Sequence, residues 1–194
     1  MQFPLDLRFK LLAIASQIYV RDAQGALVCY VKQKAFKLKE AVTVFADEGQ
    51  TQPLYKIAAD RMLDISAQYH VEDMSGRKLG VVKRRGLRSI WRTQYEVSRD
   101  GALVFTIQEE NPWVKVVDGF FEQIPVLGML SGYVFHPAYL VIQGTGTTAL
   151  RVSKQPAMLE GRYRVDALAA LGEEDARLAV LSLLMMLLLE RSRG

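Results

Sequence analysis

Cysteine and histidine are scarce in this sequence, which contains one cysteine, Cys29, and two histidines, His70 and His136. A single cysteine excludes an internal disulfide, and two histidines so far apart leave little for a metal site. Cys29 lies in an apolar run that is typical of a strand, so we expect a buried thiol in a reducing compartment. The apolar stretch near the N-terminus is too short for a secretory signal, and Asp6 intrudes. A cytoplasmic location is therefore predicted.

Recognisable catalytic motifs are also missing from the sequence. It has no Ser/His/Asp spacing, no Gly-x-Ser-x-Gly turn and no glycine loop that leads into a helix. Gly144 and Gly146 stand between two predicted strands, which indicates a hairpin turn. The adjacent carboxylates Glu109 and Glu110 lie at the end of a predicted strand, where neighbouring side chains point to opposite faces. We therefore expect no enzyme activity, and no catalytic residue, cofactor or metal.

One long apolar run, Leu178–Leu189, is interrupted only by Ser182 and has no polar face. A helix that is apolar on all sides must be surrounded either by lipid or by the core of the protein. Its length would be about 18 Å, whereas the hydrocarbon core of a bilayer is about 30 Å thick. Acidic residues Glu173–Asp175 precede the run and Arg191 follows it, which suits the ends of a soluble helix. The sequence therefore predicts a buried core helix over 173–190, with a membrane span or tail anchor as the alternative.

A unit of strand, turn and strand recurs along the first half of the chain, with a period of about 25 residues. The turns pair an aspartate with a glycine, residues that tolerate the left-handed backbone of a hairpin. Most flanking runs alternate between apolar and polar residues, as half-buried antiparallel strands do. In the first strand this alternation turns Ile18 and Val20 inward and Tyr19 and Arg21 toward solvent. The repeated units are Ile18–Val31, Val42–Ile57, Tyr69–Val82 and Tyr95–Ile107.

The second half continues this pattern with a hairpin over Tyr139–Val152 and a last strand over Gly161–Asp166, while Trp113–Gln123 fits either a short helix or a strand. A closed barrel of about eight strands is filled by its own side chains, whereas a larger barrel leaves a lumen. An α-helix is about 10–12 Å across, so the apolar helix is the expected filler. We predict a single all-β domain over 1–194. It is an antiparallel barrel of about twelve strands, wrapped around the hydrophobic C-terminal helix.

Repeated strand–turn–strand units, a strand such as Arg162–Val165 and a hydrophobic C-terminal helix together resemble the LURP-one-related proteins. These proteins are grouped with the tubby C-terminal domain and the phospholipid scramblases in one superfamily. The resemblance covers about Gln17 to Glu190 and implies a twelve-stranded barrel around a central hydrophobic helix. Tubby-type domains bind phosphoinositides through basic surface residues, so the resemblance also implies a lipid-binding surface. Scramblases carry a cysteine-rich region and an acidic calcium segment. This chain has neither, since Asp47–Glu48 alone is no calcium site.

The whole chain has a net charge of +4, and its positive charge is concentrated in the first half. Residues 1–97 carry 16 Lys and Arg against 10 Asp and Glu, whereas residues 98–194 carry 9 against 11. Two segments contribute most of the excess, Lys32–Lys39 and Arg77–Arg92, and the repeat places them at the same point of their units. We predict that the two segments form one positively charged surface that binds anionic phospholipid or phosphoinositide. The candidate residues are Lys34, Lys37, Arg77, Lys78, Lys83, Arg84, Arg85, Arg88 and Arg92.

Other interpretations of the same features stay open. The basic segments also fit solvated strand edges whose lysines discourage edge-to-edge pairing, and Trp91 fits either an interfacial anchor or a core residue. Nucleic-acid phosphate would attract the same charges, although we expect lipid as the partner. The alternative functions are a small-ligand carrier or enzyme with a pocket between the barrel rim and Asn111–Gly128, and a protein-interaction or structural domain.

Overall fold

The computed structural model describes residues 1–12, 15–34, 41–60, 67–85, 94–110, 138–157 and 161–191. These residues form twelve β-strands followed by one α-helix. The first six strands are β1 (Leu5–Leu12), β2 (Ala15–Arg21), β3 (Leu27–Lys34), β4 (Val42–Phe45), β5 (Pro53–Ala59) and β6 (Gln68–Asp73). The other six are β7 (Lys78–Arg84), β8 (Gln94–Arg99), β9 (Ala102–Glu109), β10 (Ala138–Gln143), β11 (Thr148–Gln155) and β12 (Gly161–Ala167). The helix, α1, covers Glu173–Arg191.

Each strand pairs antiparallel with its neighbours in the sequence, and β1 pairs with β12 to close the barrel. In this closing pair Leu5 lies opposite Val165 and Phe9 lies opposite Gly161. Closure leaves the sheet without a free edge, because every strand has a partner on both sides. Ile18 and Val20 on β2 are fully buried, as their alternation predicted. The predicted fold class, an antiparallel barrel of about twelve strands with a C-terminal helix, is confirmed.

Two of the hairpin turns, between β2 and β3 and between β6 and β7, share one local geometry. In the turn between β2 and β3, the Asp22 carboxylate accepts hydrogen bonds from the amides two and four residues later, both at 3.0 Å. In the turn between β6 and β7, the Asp73 carboxylate does the same at 2.9 and 3.0 Å. Gly25 and Gly76 complete these turns with φ angles of 81° and 84°, where a side chain would be strained. In these two turns the aspartate accepts the hydrogen bonds and the glycine adopts the left-handed backbone, so the turn requires both residues.

Helix α1 fills the barrel. Every residue from Leu178 to Leu189 is buried, including Ser182, so the helix is covered on all sides rather than along one stripe. Gly80 on β7 allows the wall to come close, since a Cβ atom there would lie 2.9 Å from Leu178 Cδ1. The prediction of a core helix over 173–190 is confirmed, and the helix extends one residue further, to Arg191. Among the described residues, no helix combines the length and the apolarity needed to cross a lipid bilayer.

The two ends of the barrel differ. At one end, which we call the turn end, lie the short hairpin turns that join β2 to β3, β4 to β5, β6 to β7, β8 to β9 and β10 to β11. The first turn of α1 begins at this end, and the helix runs through the barrel to the other end. We call that second end, where β1, β3, β5, β7, β9 and β11 finish, the loop end. Residues 13–14, 35–40, 61–66, 86–93, 111–137 and 158–160 lie outside the described part. The segment Trp113–Gln123, predicted as a helix or a strand, is among them.

Candidate functional site

The basic segment predicted from the sequence extends along strand β7 from one end of the barrel to the other. Arg77 and Lys78 lie at the turn end, whereas Lys83, Arg84 and Arg85 lie at the loop end. Six residue steps at about 3.3 Å each separate Lys78 from Arg84 by roughly 20 Å. Arg77 and Lys78 are therefore remote from the other described candidates.

The second basic segment begins where the repeat predicts. Lys34 is the last residue of β3, so its backbone lies at the loop end like that of Arg84 on β7. Strands β4, β5 and β6 lie between them, which corresponds to about 19 Å along the sheet. The side chain of Lys34 lies outside the described part of the structure, as do the candidates Lys37, Arg88 and Arg92 and the neighbouring Trp91.

The arginines of the β7 segment are engaged by carboxylates. Arg77 contacts Asp73 Oδ2 at 3.2 Å and Glu174 Oε1 at 3.0 Å, which ties the turn to the first turn of α1. At the other end, Arg84 Nη2 lies 3.8 Å from Glu190 Oε1 and Arg85 Nε lies 3.2 Å from Glu96 Oε1. Their charge is thus largely balanced within the protein. Lys78 and Lys83 are exposed, and neither forms an ion pair with another described residue.

A different basic surface forms where the barrel closes. Pairing of β1 with β12 places Arg8 directly opposite Arg162, and both guanidinium groups contact Asp6, with Nε to carboxylate distances of 2.8 and 2.9 Å. On the same outer surface, the exposed Lys10 and Lys32 lie on either side of Gln17, one strand away in each direction. We call the four residues Arg8, Lys10, Lys32 and Arg162 the basic face.

The charges of the basic face act on the carboxylate that they share. Burial works to raise the pKa of Asp6, but the hydrogen bonds and charges of Arg162 and Arg8 hold it below its ordinary value. Asp6 is therefore ionised at neutral pH and offsets only one of the two arginines. The basic face was missed at the sequence level because Asp6 and Arg162 are 156 positions apart, so only closure brings them together.

Tyrosines border the basic face. Lys10 Nζ lies 5.2 Å from the centre of the Tyr19 ring, a distance at which a cation and an aromatic ring attract one another. The rings of Tyr19 and Tyr30 are 5.0 Å apart across β2 and β3. Burial raises the pKa of both phenols above the usual value, so they stay protonated. Tyr30 is buried, whereas the partly exposed Tyr19 donates a hydrogen bond of 3.1 Å to Gln17 Oε1. A surface of lysine, arginine and tyrosine is suited to phosphate groups beside apolar chains.

A pocket of about 540 Å³ opens at the turn end, between the first half of α1 and the barrel wall. Its lining is mainly apolar and includes Phe3, Val28, Leu54, Leu171, Val180 and Leu181. The alternative pocket predicted near Asn111–Gly128 falls on residues outside the described part. Strand β9, which precedes that segment, finishes at the loop end of the barrel. The observed pocket lies at the turn end.

Few polar groups line this turn-end pocket. Arg177 and Glu173, one helical turn apart on α1, form an ion pair of 2.5 Å between Nη2 and Oε1. Burial raises the pKa of Tyr55, although the positive charge of Arg177 works in the opposite direction. Burial also raises the pKa of the Cys29 thiol to about 12, so it is protonated at neutral pH.

The other polar candidates of the sequence do not converge. Glu109 is buried, whereas Glu110 points outward and its Oε2 accepts hydrogen bonds from Arg151 at 2.8 and 2.9 Å. The two carboxylates therefore lie on opposite faces of the strand, as predicted. His70 is on β6, and His136 falls outside the described residues. Within the described ranges, no three His, Cys, Asp or Glu side chains are grouped as metal ligands.

Comparison with known proteins gives one match. No curated protein and no solved structure shows significant similarity to the chain. The family model described as LURP-one-related matches residues 27–181, from the start of β3 into the middle of α1. This match covers most of the chain and includes three of the four repeated units in full, Val42–Ile57, Tyr69–Val82 and Tyr95–Ile107. The chain therefore belongs to the LURP-one-related family.

Proposed function

We propose that the protein is a non-enzymatic binding module that attaches to anionic phospholipid surfaces through its basic face. The observation that carries this proposal is the sharing of Asp6 by Arg8 and Arg162 at the closure of the barrel. Two guanidinium groups with one carboxylate keep a net positive charge on solvent-exposed strands. The proposal places the protein in the cytoplasm, at the periphery of a membrane.

The net charge of the basic face supports this proposal. Lys10 and Lys32 are exposed and form no ion pair with another described residue. Together with Arg8, Arg162 and Asp6 they give this surface a net charge of +3. Each lysine or arginine close to an anionic membrane contributes about 1 kcal/mol, so roughly 3 kcal/mol is available at low ionic strength.

Two further features support the proposal. Tyr19, whose ring lies beside Lys10, has an apolar ring and a polar tip, which suits the interface of headgroups and acyl chains. Tubby-type domains, which the chain resembles, bind phosphoinositides through basic surface residues. Phosphatidylserine and phosphoinositides present the same anionic phosphate chemistry to such a surface. Cys29 itself is not favoured as a catalytic nucleophile, because burial raises the pKa of its thiol and leaves it protonated at neutral pH.

Vesicle flotation of the full chain tests this proposal. We expect the protein to float with vesicles of phosphatidylcholine and phosphatidylserine, and not with phosphatidylcholine alone. Changing both Lys10→Glu and Lys32→Glu should lower the partition coefficient by roughly 30-fold or more, since at least about 2 kcal/mol of attraction is lost. Absence of binding to the anionic vesicles at low salt would contradict the proposal.

The chain offers a matched control for this experiment. Lys56 and Lys78 are also exposed, and they lie on either side of Glu72 just as Lys10 and Lys32 lie on either side of Gln17. Changing both Lys56→Glu and Lys78→Glu removes the same number of charges from β5 and β7 and should leave flotation nearly unchanged. Equal loss in the two double variants would mean that net charge, not the basic face, drives binding.

A third variant tests the segment predicted from the sequence. Changing Lys83→Glu and Arg85→Glu alters the loop end of β7, where Arg85 already contacts Glu96. If these changes abolish flotation while the Lys10 and Lys32 variant still binds, the lipid site lies on β7. Lipid binding would then remain the function, but the loop end of β7 would be the binding surface in place of the basic face.

A further inference from the structure

We propose that the turn-end pocket binds a small amphiphile, an aliphatic chain with a carboxylate head, and that Arg177 receives the carboxylate. The ligand class is a fatty acid. This site is separate from the basic face, so its test is independent of membrane attachment.

The size and the lining of the pocket determine the apolar part of the ligand. A volume of about 540 Å³ falls within the range of roughly 300–1,000 Å³ that is usual for small-molecule sites. Its apolar walls come from three directions: Phe3 from the N-terminal segment, Leu54 at β5, and Val180 and Leu181 on α1. Exposure of such walls to water is unfavourable, and a bound aliphatic chain would shield them from it.

The charged group at the pocket determines the head of the ligand. Arg177 and its partner Glu173 both line the pocket, and the side chain of Arg177 is 33% exposed whereas that of Glu173 is 83% exposed. An ion pair so exposed to solvent contributes little to stability. A ligand carboxylate can therefore replace the carboxylate of Glu173 at low cost. The guanidinium can bind a carboxylate through two parallel hydrogen bonds, which favours this head over a hydroxyl group.

The other two carboxylates of the first helical turn are paired with arginines, which reduces their repulsion of an anionic head. Glu174 and Asp175 are engaged by arginines of the barrel wall, Arg77 at 3.0 Å and Arg99 at 2.9 Å. Of the three acidic residues in the first helical turn, the ligand carboxylate therefore has to displace only Glu173 from its arginine partner. The partial positive charge at the N-terminus of α1 adds to the attraction of Arg177.

Titration calorimetry of the full chain with sodium dodecanoate, below its micellar concentration, tests the proposal. We expect one molecule bound per chain, and binding of dodecan-1-ol on the order of tenfold weaker because it lacks the charged head. Arg177→Gln should reduce dodecanoate affinity by about tenfold and leave dodecanol affinity unchanged. Glu173→Gln should increase dodecanoate affinity, because it frees the guanidinium.

Arg99→Gln is the matched control, since Arg99 is 31% exposed and pairs with the same helical turn without lining the pocket. It should change neither affinity. Ala170→Trp places a large side chain at an exposed residue of the lining and should abolish binding of both ligands. Failure of dodecanoate to bind at about 1 mM, or equal affinities in the Arg177 and Glu173 variants, would overturn the proposal.

Discussion

The hydroxyl group of Tyr95 on β8 donates a hydrogen bond of 2.7 Å to Glu190 Oε1, beside the last residue of helix α1. This contact joins the barrel wall to the helix inside it, at the loop end. Tyr95 is fully buried, and both burial and the neighbouring carboxylate raise the pKa of its phenol. The phenol therefore keeps its proton and remains a donor over the whole physiological pH range.

Removal of this hydrogen bond should destabilise the barrel. Tyr95→Phe deletes the donor and leaves the ring in place, and we expect a loss of about 1.5–3 kcal/mol in the free energy of unfolding, as for hydrogen bonds to charged groups. Urea denaturation of Tyr95→Phe, Glu190→Ala and the double variant would isolate the pairwise term, since Glu190 also lies near Arg84. Additive losses in the double variant would show that the two side chains are not coupled.

Ser182 should be a site where a smaller, apolar side chain stabilises the protein. Its Oγ atom is buried in the middle of α1 and has no hydrogen-bond partner among the described residues. Ser182→Ala removes this buried hydroxyl group, and we expect the free energy of unfolding to rise by about 1 kcal/mol. The reverse change, Ala179→Ser at another fully buried position of the same helix, should lower it. A destabilised Ser182→Ala variant, measured by thermal unfolding, would contradict this account of the core.

Stability should depend on pH through the turn between β6 and β7. The Ser75 hydroxyl group, with the amides of Ser75 and Arg77, lowers the pKa of Asp73 from 3.8 to about 2. A carboxyl group with a depressed folded-state pKa stabilises the protein above its unfolded pKa, and this contribution disappears as pH falls through the folded pKa. The wild type should therefore unfold at a higher temperature than Asp73→Asn at pH 6, and this advantage should vanish between about pH 4 and pH 2. A difference in melting temperature that is constant with pH would exclude this role of the carboxylate.

Local patterns were sufficient to predict the hairpins. The turn at Asp73 and Gly76 depends on hydrogen bonds within five residues, so its aspartate and glycine are visible in the sequence. Ile18 and Val20 alternate with polar neighbours because one face of their strand is buried. The buried helix could also be predicted from the sequence, because a helix that is apolar on all sides has no face suited to solvent.

The candidate sites depended on contacts between distant residues. The basic segment on β7 was visible as a charge run, but the engagement of Arg77 by Glu174 and of Arg84 by Glu190 depends on the direction of α1 inside the barrel. Sequence spacing does not reveal that direction. The pocket likewise combines an N-terminal residue, Phe3, with Leu54 and Val180, which meet only when the helix is in place.

The sequence by itself determined the strand repeat, its turns and the buried helix, because these depend on interactions among near neighbours and on the need to cover an apolar surface. Only the tertiary structure decided which basic side chains are balanced by carboxylates and which leave a net positive charge on the surface. Closure of β1 against β12 places Arg8 and Arg162 on one carboxylate, Asp6, and so forms the basic face. The physical reason is that closure pairs strands from opposite ends of the chain, and electrostatic balance follows distance in space rather than position in the sequence.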